Sequence, residues 1–401
     1  MSEFILKNIN TDADLEQELT QIGFDKAYLH KAVDKYRYKN IKIFDLSPAQ
    51  ANVLKQTAIS VGADCAVHRE TITGKVEKSN CILGGSYSQL RKITQKLKFQ
   101  PFKLSKLADL IENNLDFKLS PIKIKNTIFD FKKPYIVGVL NLTKDSFSDG
   151  GEFYDFDDAV KHLQQLIEDG ADIIELGAES TKPFSMGVSD EAQLEKLLPV
   201  LQFIKENDIK IPISIDTRSA AVAKKCIEAG ADIINDVSGL EFDFEMVKTL
   251  AQLNVPVIIQ HSKGTPENMQ IDPCYHNLVD EIFLDLKKKT DFALDNGIKS
   301  ENIIIDAGIG FGKTKKHNFE IINRMDELAS LGFPIMLGVS RKSLLGMQNE
   351  SNEVKDIFTL ALNSLLIDKK VNFIRVHNVK LHKTLLQLKG LKHNYLDFSG
   401  T

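Results

Sequence analysis

The chain is short of several things, and each shortage narrows what it can be. Its 401 residues hold only four cysteines, Cys65, Cys81, Cys226 and Cys274, scattered without a framework of spacings. That argues against a disulfide scaffold and suits a reduced, cytoplasmic setting. Cys65, His68 and Cys81 find no fourth ligand at a recognisable spacing, so they fall short of a metal site. No apolar run approaches the roughly 20 residues of a membrane span. Met1–Asn10 lacks the continuous apolar core of a secretory leader. Neither sign of charge is in large excess: the formal net charge is -4, which gives no reason to expect nucleic acid or an anionic membrane as partner. The basic residues around Lys92–Lys106 and Lys287–Lys289 read as solvated helix faces. At 43% hydrophobic and 26% charged the composition is that of an ordinary globular protein. The length accommodates a barrel plus a smaller unit.

What is present has a rhythm. From Pro134 onward, apolar segments alternate with segments of helical periodicity. The expected strands are Tyr135–Leu140, Asp172–Leu176, Ile211–Ile215, Asp232–Asn235, Val255–Gln260, Asn302–Asp306, Pro334–Gly338 and Asn372–Val376. Most are continuous apolar runs, as parallel strands buried on both faces require. Between them, Ala159-Val160-Leu163-Leu166-Ile167 and Ala221-Val222-Cys226-Ile227 carry a helical period. Glu168-Asp-Gly-Ala-Asp-Ile-Ile-Glu and Glu228-Ala-Gly-Ala-Asp-Ile-Ile-Asn repeat one joint twice: a helix end, a glycine for the turn, then a strand. Eight such units over 133–401 have the size and order of an α/β (β/α)8 barrel, with a doubly wound open sheet as the alternative. Residues 1–125 read instead as a small α/β N-terminal domain. Asp12–Phe24, Pro48–Val61 and Ser86–Lys96 look helical, Ile41–Phe44 and Asn80–Leu83 look like strands, and Pro121–Lys133 reads as a linker. This region carries no phosphate loop and no catalytic constellation. A structural or assembly role is the leading expectation for it, and a part in substrate capture the other.

In a parallel barrel the C-terminal strand ends converge on one face, where chemistry sits. Those ends are polar throughout. They carry Asn141 with the loop Leu-Thr-Lys-Asp-Ser-Phe-Ser-Asp-Gly-Gly, Gly177-Ala-Glu-Ser-Thr-Lys-Pro183, Asp216-Thr217, Asn235-Asp236, Gln260-His261, Asp306-Ala-Gly-Ile-Gly-Phe-Gly-Lys313, Gly338-Val-Ser-Arg-Lys342 and Arg375-Val-His377. One such residue is what any turn needs; eight in register ask for more. Gly308-Ile-Gly-Phe-Gly-Lys-Thr314 is one residue too short between its first glycine and Gly312 for a phosphate loop. Its glycines are read as letting backbone approach a flat ligand.

Taken together, the Gly138–Gly151 stretch, Glu179-Ser-Thr-Lys-Pro183, Ile213-Ser-Ile-Asp-Thr217, Ile233-Ile-Asn-Asp236, the Asp306–Lys313 run, Val339-Ser-Arg-Lys342 and Arg375-Val-His377 resemble, in order, the motifs of dihydropteroate synthases. These folate-pathway enzymes join a pterin diphosphate to p-aminobenzoate. The resemblance covers the barrel and not residues 1–125. It departs from the family pattern at Lys182, Ala307 and Asn378, where Arg, Pro and Asp are usual. Lys182 keeps the charge but loses the bidentate fork.

The resemblance implies a pterin site of Asp216, Asn235, Asp306 and Lys342. Asp306 would accept from the pterin's paired N–H groups. Asn141, Arg375 and His377 would engage the diphosphate, with Asn141 also holding Mg2+. Phe147, Thr181, Lys182, Pro183, Phe311 and Ser340 would shape the p-aminobenzoate pocket. Asp216, Lys342 and Asn141 would be catalytic, with early C–O cleavage and a cationic pterin stabilised by Asp216. The first two loops would close as lids against water. A homodimer of cytoplasmic enzyme is implied. The rival readings are a pterin-dependent methyltransferase and a non-catalytic pterin-binding module.

Overall fold

The computed structural model describes residues 5–9, 15–142, 156–179, 187–264, 269, 271–342 and 349–397. The chain divides into two compact units, Met1–Lys118 and Leu119–Thr401.

The first unit holds α1 (Leu15–Gln21), α2 (Leu29–Tyr36), β1 (Tyr38–Leu46), α3 (Pro48–Ile59), β2 (Asp64–Ala66), β3 (Ser79–Ser86), α4 (Tyr87–Leu97) and α5 (Leu104–Asp116). Its three strands form an antiparallel sheet in the order β1-β3-β2. Ser47 and Ser86 start α3 and α4 with full capping boxes closed by Gln50 and Gln89, so these two starts are specified locally. Leu54, Leu83, Leu90, Ile93, Leu97 and Ala108 make the core. Arg91 on α4 pairs with Asp34 of α2 and, in a fork, with Asp116 at the end of α5. Three of the eight elements, α2, α5 and β2, are absent from the sequence-based expectation.

The second unit opens with a hairpin, β4 (Ile122–Ile124) and β5 (Thr127–Phe129), where a linker was expected. Ile122, Ile124 and Phe129 point into a buried layer with Val137, Ile173 and Phe373, so the hairpin plugs the N-terminal end of the barrel. Phe129 meets Tyr135 edge-on, ring centroids 4.8 Å apart, and lies 5.6 Å from Phe373. Each of these buried side chains stabilises by roughly 1.5–3 kcal/mol. The segment is therefore part of the barrel and no spacer.

Eight strands then close on themselves: β6 (Tyr135–Asn141), β7 (Ile173–Gly177), β8 (Ile213–Asp216), β9 (Ile233–Asp236), β10 (Val257–Gln260), β11 (Ile303–Asp306), β12 (Ile335–Leu337) and β13 (Phe373–Val376). All neighbours are parallel, and β13 returns to pair with β6, which rules out the open doubly wound sheet. The helices between and after them are α6 (Phe156–Glu168), α7 (Asp190–Glu206), α8 (Ala220–Glu228), α9 (Met246–Leu253), α10 (Leu278–Asp295), α11 (Lys315–Asn323), α12 (Asn352–Leu366) and α13 (Val379–Asp397).

Seven of the eight expected strands begin one or two residues later than expected, three of them at a proline. Pro212, Pro256 and Pro334 precede β8, β10 and β12; a proline has no N–H to give the ladder. Each instead contributes its carbonyl, to Ile174, Ile234 and Ile305 respectively. The repeated joint has a specific job. Asp172 and Asp232 each stand just before a strand and accept the N–H of the adjacent preceding one, at Ile136 and Ile213. Asn372 repeats the device toward Ile335. These side chains pin the start of β7, β9 and β13 against their neighbours, and so fix the register that delivers the opposite strand ends to one face.

Candidate active site

Register decides which polar side chains meet. Asn141 lies opposite Gly177, Gly177 opposite Asp216, and Asp216 opposite Asn235. Gln260 lies opposite Asp306 on the far side. Within the otherwise apolar β7, Glu175 is fully buried and sits one step below this ring.

Glu175 joins the cluster together. One carboxylate oxygen accepts from Nε of Arg375 and the other from Nδ2 of Asn235 at 2.9 Å. Arg375 also reaches Asp216, its Nη2 lying 3.5 Å from Oδ2. Burial pushes the Asp216 carboxyl up, the charge of Glu175 adds to this and Arg375 opposes it, leaving it at about 8. Burial works against the charge on Arg375, but Glu175 and Asp216 outweigh it. The Oδ1 of Asn235 is buried with no protein partner.

Across the mouth, Asp306 accepts from the N–H of Gly308 at 2.7 Å and is held above the usual carboxylate range by burial, with Lys342 working in the opposite sense. Among the described residues Asp306 has no ion pair, so a structural salt bridge with Lys313 or Lys342 is not what it is for. Lys342 donates to the carbonyl of Ile309 at 2.6 Å and stands 4.7 Å over the ring of Phe311. Burial lowers its pKa to about 8 against the pull of Asp306. His377 Nδ1 lies 2.9 Å from the Ser340 hydroxyl, and burial, then Arg341 and Arg375, push it down to about 3. His377 is therefore a neutral imidazole at pH 7 and offers hydrogen bonding rather than charge.

The glycine-rich segment after β11 is built differently from the expectation. Gly308 and Gly312 have φ of +64° and +62°. A Cβ on Gly308 would stand 1.9 Å from the His261 carbonyl, and one on Gly312 2.3 Å from that of Lys263. These two glycines answer to a neighbouring loop and not to a ligand. Lys313 then fastens the segment from inside. Its buried Nζ donates to the carbonyls of Gly308 at 2.9 Å and Phe311 at 2.8 Å and meets Nδ1 of His261 at 2.8 Å.

The departures at Ala307 and Asn378 fit their surroundings. Ala307 is buried. Asn378 caps α13 through Leu381 N–H and donates to Asp356, which grips Arg341 through two 2.7 Å contacts. The ring of His377 is oriented by Ser340 rather than by residue 378. At the second loop, Glu179 pairs with Arg218 at 2.8 Å, and Arg218 stacks 4.1 Å over Phe242. Phe147, Thr181, Lys182 and Pro183 lie outside the described residues.

The structure thus brings Asp216, Asn235 and Arg375 into one bonded cluster, with Asn141 beside it, Asp306, Lys342 and Phe311 facing it, and Ser340 with His377 at the β12–β13 side. Sequence reading missed Glu175, which does leave a signal: it is an acidic residue inside a strand otherwise apolar on both faces, and such a charge needs partners.

Residues 137–377 match the pterin binding enzyme family. A dihydropteroate synthase from Clostridium beijerinckii is 46% identical over 250 residues, covering 62% of this chain and 90% of that protein. A probable bifunctional folylpolyglutamate synthase/dihydropteroate synthase from Haloferax volcanii is 36% identical over 344 residues. That match covers 82% of this chain, more than the second unit alone makes up, and 40% of the haloarchaeal protein. Among solved structures, the Yersinia pestis dihydropteroate synthase in complex with a sulfonamide drug is 30% identical with a TM-score of 0.64. It covers 69% of this chain and 100% of its own. The chain belongs to the pterin binding enzymes and, within them, to the dihydropteroate synthase family.

Proposed function

We infer that the chain condenses (7,8-dihydropterin-6-yl)methyl diphosphate with p-aminobenzoate, giving 7,8-dihydropteroate and diphosphate. The observation that carries the residue-level reading is the ring of charged and polar side chains at the C-terminal strand ends, drawn into one buried cluster around Glu175, Asp216, Asn235 and Arg375.

A pterin is flat, neutral and edged with donors and acceptors. Asp306 accepts from its adjacent N–H and amino groups, and Lys342, opposite, donates to its carbonyl and ring nitrogen. Asn235 reads a neighbouring edge. Arg375 and His377 face the diphosphate, Arg375 as a charge and His377 as a neutral hydrogen-bonding ring. p-Aminobenzoate is an aromatic amine, uncharged at pH 7, and attacks without a prior general base. A weak nucleophile with a good leaving group favours early C–O cleavage. Asp216, balanced near neutrality, is suited to ionise as positive charge develops on the pterin beside it. Phe311 and Ser340 are assigned to the p-aminobenzoate side, the role that the family resemblance also gives to Phe147, Thr181, Lys182 and Pro183.

Mg2+ fits the residues present. Asn141 offers a neutral oxygen at the strand end, and a Cβ on Gly177 would stand 3.3 Å from its Oδ1, so the glycine keeps space open beside that ligand atom. A hard cation that retains most of its waters asks for little more from the protein. When bound, it would neutralise charge on the diphosphate oxygens.

Exposed Ile357, Phe358 and Leu365 on α12 support assembly as a homodimer through barrel helices. Four free cysteines, three of them buried, support a reduced, cytoplasmic setting. No helix among the described residues is long and apolar enough to cross a membrane. The N-terminal unit is assigned a structural or assembly role.

Asp306→Ala tests the pterin assignment. Losing two charge-assisted hydrogen bonds should weaken pterin binding by about 100-fold or more, with the fold retained. Equal pterin affinity in wild type and variant would remove Asp306 from the site.

A further inference from the structure

Asn235 is symmetric in shape but not in chemistry, since one end of its amide donates and the other accepts. Its orientation normally rests on whichever partners surround it. Here one partner decides. The Asn235 atom nearest Glu175 lies 2.9 Å from a carboxylate oxygen that can only accept, because the other oxygen of that carboxylate already takes the Arg375 Nε–H. The amide nitrogen is therefore turned toward Glu175, which takes one of its two N–H groups. The oxygen is turned outward, buried and without a protein partner. Glu175 is fully buried within β7 and Asn235 is 2% exposed on β9.

We propose that Glu175 is a positioning residue that locks the Asn235 amide so that Asn235 presents its oxygen to the pterin, and selects a ligand edge carrying an N–H or amino group opposite that oxygen. The proposal rests on the assignment of this pocket to the pterin. Glu175 touches no substrate; it acts through Asn235, and through Arg375 on the other oxygen. A ligand with an acceptor at that edge leaves two lone pairs facing each other in a dry site, a strong ground for rejection.

The arrangement makes a specific demand on substitutions. In Glu175→Gln, the new amide bonds Arg375 with its oxygen and offers Asn235 a donor. Asn235 then turns its oxygen inward and shows the pterin the wrong end. In Asn235→Asp, two carboxylates face each other. The double exchange Glu175→Gln with Asn235→Asp restores the pattern: the amide introduced at position 175 donates inward, and the carboxylate at position 235 accepts from the ligand. Because the double exchange also returns one carboxylate to the cluster, the amide orientation is read separately, from which edge of the bound pterin meets residue 235 in a crystal structure.

The test is titration calorimetry of 6-hydroxymethylpterin into the full-length chain, with thermal melts to verify folding. Each single exchange is expected to weaken binding about tenfold or more. The double exchange is expected to bind about tenfold tighter than either single. Losses that simply multiply in the double variant overturn the proposal while leaving the pterin site intact. Wild type that fails to bind the pterin overturns the site assignment and the proposal together. Should a single variant not fold, a crystal structure of wild type with the same pterin decides. A ligand N–H or amino group within hydrogen-bond distance of the outward Asn235 atom is expected, and a ligand acceptor there overturns the proposal.

Discussion

Arg375→Met is the perturbation that probes the buried charge cluster most sharply. It keeps much of the side-chain volume and withdraws the cation bonded to Glu175 and Asp216, whose own side chains are 0% and 8% exposed. Removing one partner of a buried pair costs about 3–5 kcal/mol, because the survivors keep their desolvation cost without compensation. For a unit of this size each kcal/mol lowers the melting temperature by roughly 2–4 °C, so the expected loss is roughly 6–20 °C. The pH dependence has a definite sign. Asp216 is already raised to about 8 in the folded wild type, with Arg375 opposing the rise. Without Arg375 it rises further. A carboxyl raised above its unfolded value is fully tolerated below about pH 4 and costs stability as the pH climbs through the folded value. The deficit of the variant should therefore be larger at pH 8.5, where wild type has begun to ionise Asp216 and the variant has not, than at pH 4.5, where neither has. Thermal melts of wild type and variant at both values measure it. An equal deficit at the two pH values, or none at pH 8.5, would refute the reasoning.

Two further outcomes are expected. Asp216 must ionise and Lys342 must stay charged, and both stand near 8, so kcat/KM for the pterin substrate should rise with pH toward 8 and fall above it. Asp216→Asn should retain residual activity without the acidic limb, and a profile flat between about pH 6 and 9 would contradict this. A chain beginning at Leu119 should fold and turn over, whereas one beginning at Pro134 should melt far lower, having lost the Ile122, Ile124 and Phe129 plug. Equal melting temperatures for the two would show that the hairpin contributes nothing.

The barrel was largely legible because its code is redundant. Continuous apolar runs, helical periods between them and a joint repeated at Gly170 and Gly230 all name the same architecture. Polar residues at strand ends marked the face of the candidate site for the same reason: they break the apolar pattern where each strand runs out. What escaped was whatever depends on a partner distant in sequence. Glu175 acquires its meaning from Arg375, 200 positions away, and from Asn235. The hairpin at Ile122–Phe129 was read as a linker because its short alternation is weak on its own and becomes decisive only against the barrel floor. The glycines at 308 and 312 looked ligand-directed, since sequence does not show that the His261 and Lys263 backbones run against them. In the first unit, α5 escaped because its apolar period, Leu104, Ala108, Ile111 and Leu115, lies next to a stretch noticed for its lysines.

The central claim is tested most directly by turnover. Purified protein is mixed with the dihydropterin-methyl diphosphate, p-aminobenzoate and Mg2+, and diphosphate and dihydropteroate are followed together. The account predicts their appearance in equal amounts, dependent on both organic substrates. Folded protein that binds the pterin and releases neither product would contradict it.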